Sequence, residues 1–211
     1  MNLANDMQNL IQAQLEIFEA LKLEVTRLQE IRSVEKSLIE KWQMFLEIIL
    51  PIQINVVQKY GFQGDQQGLS SFNEKYLKYS EQENTLWELN EQKWLFLFEH
   101  AFGLNEIRKL SLDEATALLK DIFTGMISES FLKKVDEVMA RCDDAATMLE
   151  KRQALLEVLL LLHMSVMEKH HFIGEKGYLQ AQRALMDYYH IPELMKGANY
   201  AQKVLFERAG L

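Results

Sequence analysis

Three histidines cluster late in the chain, at His163, His170 and His171, and its single cysteine, Cys142, stands shortly before them. Metal binding and nucleophilic catalysis are the chemistries these residue types could serve. His163 and His170 are seven residues apart, two turns of helix, and would share a helix face. Zinc needs further ligands at set spacing, and the sequence has neither a paired-cysteine motif nor a helical His-Glu-x-x-His. His163 therefore reads as a hydrogen-bonded histidine at the end of an apolar run. Cys142 is followed by Asp143 and Asp144, whose charge pushes a thiol pKa up, away from an activated thiolate. No Gly-x-Ser-x-Gly elbow is present. Glu81 and Glu83 read as solvated charge at a helix end. No catalytic residue, metal ligand or cofactor site is expected.

Anion binding is the other chemistry to weigh. "KYGFQGDQQGL", Lys59 to Leu69, holds three of the nine glycines. A glycine-rich loop before a helix can offer free backbone N–H groups to an anion. This one lacks the Lys-Ser/Thr of a phosphate loop and follows a helical pattern, not a strand. Asp65 alone cannot build a calcium loop. The loop reads as structural, with a helix stop at Gly61, Phe62 as an anchor, and a restart near Gly68. Positive φ, or an equally restricted turn geometry, is expected at Gly64 and at its counterpart Gly174. Phe72, Tyr76 and Tyr79 line one face of the next helix and could stack a ligand. Their later counterparts include Leu185 and Tyr188, which favours a core contact. Trp42, Trp87 and Trp94 read as core or interface anchors.

The elements that must position these residues are helices. Apolar residues recur at three-, four- and seven-residue steps, as in Leu21, Val25, Leu28 and in Leu38, Trp42, Phe45, Ile49, and no strand alternation is evident. The pattern predicts an all-α fold with helices over 7–32, 34–60, 68–80, 84–101, 112–124, 130–142, 145–171, 177–190 and 193–208. Asn5 and Asp6 are candidate caps, Ser111–Glu114 has the capping-box pattern, and Gly125 with the Ser-Glu-Ser at 128–130 marks a break. Pro51 inside a helical run predicts a kink.

Bulk composition narrows the function classes. Of 211 residues 48% are apolar, enough for a substantial core. The net charge is −8; residues 1–103 carry 9 Lys/Arg against 15 Asp/Glu, and the remainder 14 against 16. No dense basic stripe exists, so nucleic acid is not an expected partner. The longest apolar stretch, Leu155 to Met167, is too short to span a bilayer, and no basic-then-apolar leader opens the sequence. A soluble, cytoplasmic protein without membrane insertion is expected.

The loop occurs twice. Set against "EKHHFIGEKGYLQAQRALMDYY", the first loop region matches Lys59 with Lys169, Phe62 with Phe172, Gly64 with Gly174 and Asp65 with Glu175; a one-residue gap brings Gly68 onto Gly177. Each copy follows a long apolar helix and precedes a final helix. The chain therefore reads as two related antiparallel helical domains, residues 1–103 and 104–211, packed as a pseudo-symmetric pair. Both halves resemble the C10 family of small eukaryotic helical proteins. The resemblance rests on "KYGF", "GDQQG", Phe72 and Tyr79 in the first half, and on "LSLDEATALLKDIF" and Pro192 to Leu194 in the second. Leu50–Pro51 stands about one turn later than the family's Leu-Pro pair; the second half has no such proline, and has His171 where Gly61 stands. The resemblance implies a cytosolic helical domain with no established enzymatic activity and no catalytic residue to carry over.

The function expected is that of a non-enzymatic scaffold or adaptor in a larger assembly, cytoskeletal or ciliary in placement, with other proteins as partners. The two long helices are expected to join the domains, bringing Leu159, Leu162 and Val166 near Phe45, Ile49 and Ile52. The alternative is a ligand-binding or enzymatic protein with a pocket between the domains, lined by His163 and the Met-rich segment "HMSVM".

Overall fold

The computed structural model describes residues 3–80, 83–106, 108–142, 148–188 and 191–210. Glu81, Asp143, Asp144 and the expected start of the helix at 145 lie outside them. The described residues form ten α-helices, divided between two compact units, Met1–Ile107 and Arg108–Leu211. Unit 1 holds α1 (Leu3–Lys22), α2 (Val25–Ser33), α3 (Leu38–Lys59), α4 (Gln66–Ser80) and α5 (Asn84–Phe102). Unit 2 holds α6 (Leu112–Met126), α7 (Glu129–Met139), α8 (Met148–Lys169), α9 (Gly174–Met186) and α10 (Pro192–Ala209).

The helices pair alike within the two units for the most part, though α4 packs on α5 in unit 1 without an equal contact between α9 and α10 in unit 2. In unit 1, α3 packs on α1, α2 and α4, and α5 packs on α1 and α2. In unit 2, α8 packs on α6, α7 and α9, and α10 packs on α6 and α7. The central helices α3 and α8 are both 22 residues long.

Local chemistry sets the helix ends. Ser111 and Glu114 form the expected capping box, the backbone N–H of Glu114 donating to Ser111 Oγ at 3.2 Å and that of Ser111 to Glu114 Oε2 at 2.8 Å. These bonds, with Arg108, hold the Glu114 carboxyl below the usual carboxylate range. Ser128 caps α7 in the expected break. A second box, Ser37 with Glu40, starts α3 at Leu38, four residues later than expected. The expected helix over 7–32 is divided at Leu23–Glu24, where N–H groups donate to carbonyls three residues back. The break re-aims the apolar stripe: Leu21, Leu28 and Ile31 are all fully buried, whereas Leu23 in the turn is 84% exposed. Helix α3 continues through Pro51.

The repeated loop makes the same turn twice. Phe62 N–H donates to the Val57 carbonyl and Gly61 N–H to that of Gln58; Phe172 N–H donates to Met167 and His171 N–H to Glu168. This paired 6→1 and 5→2 pattern satisfies the last carbonyls of a helix and requires a left-handed residue. Gly61 supplies it at φ 87° and His171 at φ 67°. The expectation for Gly174 holds, at φ 66°, but Gly64 is not left-handed. A Cβ on Gly64 would instead meet the Gln58 side chain at 2.7 Å. The left-handed region costs a side-chain-bearing residue about 1–2 kcal/mol, partly offset by the greater unfolded-state freedom of glycine. His171→Gly is accordingly expected to raise the stability of unit 2 by about 0.5–1 kcal/mol in urea unfolding.

The second glycine pair is fixed by close approach. A Cβ on Gly68 would lie 2.0 Å from the Gln63 carbonyl oxygen, and one on Gly177 would lie 2.4 Å from the Phe172 carbonyl carbon. Backbone cannot yield as a flexible side chain can. Gly177→Ala is expected to cost about 1–3 kcal/mol, more than Gly64→Ala, as read from denaturant midpoints.

Candidate functional site: an apolar groove in the second unit

In unit 1 the long helices meet through rings. Trp42 and Phe45 of α3 pack against Phe98 and Phe102 of α5, with ring centroids 5.2–6.1 Å apart, and Trp94 stands edge-on to Phe98 at 5.9 Å. Such pairs add about 0.5–1.5 kcal/mol each beyond their burial. Phe45 and Phe98 are wholly buried.

Two registers place unit 2 on this frame. The shared turn matches Phe62 with Phe172, which sets Trp42 against Arg152, Phe45 against Leu155, Ile49 against Leu159 and Gln53 against His163. "LFEHA" at 97–101 of α5 returns as "LFERA" at 205–209 of α10; buried Lys93, Leu97 and Ala101 fall on buried Ala201, Leu205 and Ala209, while buried Phe98 falls on exposed Phe206. That register sets Trp94 against Gln202, Trp87 against Met195, Phe98 against Phe206 and Phe102 against Gly210. Among these eight positions unit 1 has six aromatic rings and unit 2 keeps one.

Where those rings are missing, unit 2 has a groove of about 500 Å³. Its walls come from α6, α8, α9 and α10, and include Leu119, Phe123, Leu155, Leu159, Met195 and Phe206. That volume is within the range of small-molecule sites. Gly197 permits the close meeting of α10 with α6, since a Cβ there would lie 2.7 Å from the Phe123 ring. Among the described residues, the polar ones that line the groove are His163, Gln182, Gln202 and Arg152, of which Arg152 alone is charged. His163 Nε2 is buried with no hydrogen-bond partner. Burial pushes the His163 pKa down to about 4, so the imidazole is neutral at pH 7. The corresponding Gln53 is also buried.

The other expected candidates have structural roles. Helix α8 ends at Lys169, so His170 and His171 lie in the terminal turn and not on a face shared with His163. His170 Nε2 lies 2.9 Å from Asp121 Oδ2. No group of three or more metal-ligating side chains occurs among the described residues. Half-buried Cys142 points its Sγ at the Val138 carbonyl, 3.6 Å away. In the first loop, Asp65 Oδ1 accepts from the Gly68 N–H at 2.8 Å, and half-buried Phe62 packs edge-on to Phe72 at 5.4 Å. Phe172 is buried beneath the Arg108 guanidinium, while Glu175 stands in the first turn of α9. Tyr76 is buried and donates to the Leu86 carbonyl, as a core residue would, and Tyr188 donates to that of Leu110.

Of the residues expected to join the halves, Phe45 and Ile49 are buried within unit 1 and Ile52 is half-buried. In unit 2, Val166 is in the core and Leu159 and Leu162 pack on it, Leu159 also lining the groove. His163 was expected as a hydrogen-bonded histidine, or in the alternative as lining a pocket between the domains; its Nε2 is instead unpartnered, and it lines a groove within unit 2. The remaining lining residues were not legible in the sequence, although "LFEHA" and "LFERA" carry the register that exposes the missing rings.

Residues 4–100 match the family described as Protein C10, a span that takes in α1 to α4 and all but the end of α5. No curated protein and no solved structure matches the chain. No helix among the described residues is long and apolar enough to cross a membrane.

Proposed function

We propose that the chain is a tandem duplication of one C10-type unit that acts by binding, not by catalysis, with the unit-2 groove as its recognition site. The single observation that carries this reading is the pair of fillings on one frame: rings in unit 1, and in unit 2 a cavity of about 500 Å³ with an unpartnered buried imidazole nitrogen. Buried polar groups are ordinarily hydrogen-bonded, so an unpartnered one on a residue that lines an apolar groove suits a site that a ligand completes. Indole, the ring of the missing tryptophans, is the natural probe. Titrated into methyl-labelled full-length protein and followed by NMR, it is expected to shift Leu119, Leu155 and Leu159 and to leave Ile48 and Leu97 of unit 1 unmoved. Absence of shifts in unit 2, or equal shifts in both units, would overturn the reading.

The wider role proposed is a scaffold or adaptor in a cytoplasmic assembly, cytoskeletal or ciliary, favoured by the presence of two like units in one chain. Mild affinity capture with mass spectrometry tests it, and recovery of this chain alone counts against it.

A further inference from the structure

We infer that the groove selects small aromatic anions: molecules with a planar apolar body, a hydrogen-bonding atom for His163 and a carboxylate-like group for Arg152. The inference rests on the binding reading above and names its ligand class. Three observations converge on it. The body is specified by what fills the same frame in unit 1, where Trp42, Phe45, Trp94, Phe98 and Phe102 pack as rings. His163 lines the groove with its Nε2 buried and unpartnered, and the neutral imidazole can either donate to a ligand acceptor or accept from a ligand N–H once a ligand reaches it.

The mouth supplies the sign of charge. Arg152 is exposed, lines the groove, and occupies the position held by Trp42 in unit 1. It lies 11 residues from His163 on α8, about 16 Å along the helix axis. That separation leaves room between the two groups for one or two fused rings and a short acidic arm. Guanidinium pairs with carboxylate in a bidentate fork, and among the described residues no carboxylate lines the groove to compete for it.

The test compares three probes by NMR titration of the full chain: indole, indole-3-propionate and tryptamine. The last two share a ring and a two-carbon arm and differ in the sign of the terminal charge. Indole-3-propionate is expected to bind at least tenfold more tightly than tryptamine, with indole between them. Arg152→Gln should remove that preference, and His163→Leu should weaken indole several-fold. If indole binds but the anion has no advantage, or keeps its advantage in Arg152→Gln, the charge selection is overturned and the binding reading stands. If none of the three binds, both fall together.

Discussion

Phe45→Ala is expected to destabilise unit 1 by about 3–5 kcal/mol, the usual cost of emptying a fully buried ring position. Phe45 is wholly buried and touches Trp42, Phe98 and Phe102, so its loss opens a cavity against rings that cannot close it. The readout is direct, because all three tryptophans, Trp42, Trp87 and Trp94, lie in unit 1 and their fluorescence follows that unit alone. The matching change in unit 2, Leu155→Ala, should fall near the low end of the Leu→Ala range, about 2 kcal/mol, because Leu155 already borders open space. Equal costs at the two positions would contradict the contrast between filled and open frames.

Acid should weaken unit 2 through His163. Its folded-state pKa of about 4 lies below the ordinary value of 6.5, so the unfolded chain takes up the proton first. The stability due to the neutral imidazole is full above pH 6.5 and is lost as pH falls toward 4. At 1.36 kcal/mol per pKa unit the loss reaches on the order of 3 kcal/mol near pH 4. His163→Gln, which installs the residue unit 1 has at that position, should flatten this part of the profile. Urea unfolding of both proteins at pH 7 and pH 4.5, followed by unit-2 methyl resonances, measures the difference; parallel profiles would show that His163 is not buried neutral.

The helices and turns were legible because they depend on neighbours in sequence. The capping box at Ser111–Glu114 and the doubled turn at Phe62 and Phe172 need only a few adjacent residues, and both stand as read, except that Gly64 is not left-handed while Gly174 is. The break at Leu23–Glu24 was hidden because apolar periodicity continues across it, and only the packing of Leu28 and Ile31 requires the turn. The groove was hidden for a deeper reason. Whether an apolar face is filled depends on what another helix brings to it, and Gln202 against Trp94 has no meaning until α5 and α10 are set in register. "LFEHA" and "LFERA" contain that register, but it becomes informative only beside the register of α3 and α8.

The central claim, one frame ring-filled in unit 1 and open in unit 2, is tested most directly by restoring the rings. In Arg152→Trp/Gln202→Trp, both positions regain the side chain that unit 1 has there. The account predicts that this variant folds, that unit 2 resists urea at least as well as in the parent protein, and that indole no longer shifts Leu155 or Leu159. Indole binding undiminished in a folded double variant would contradict it.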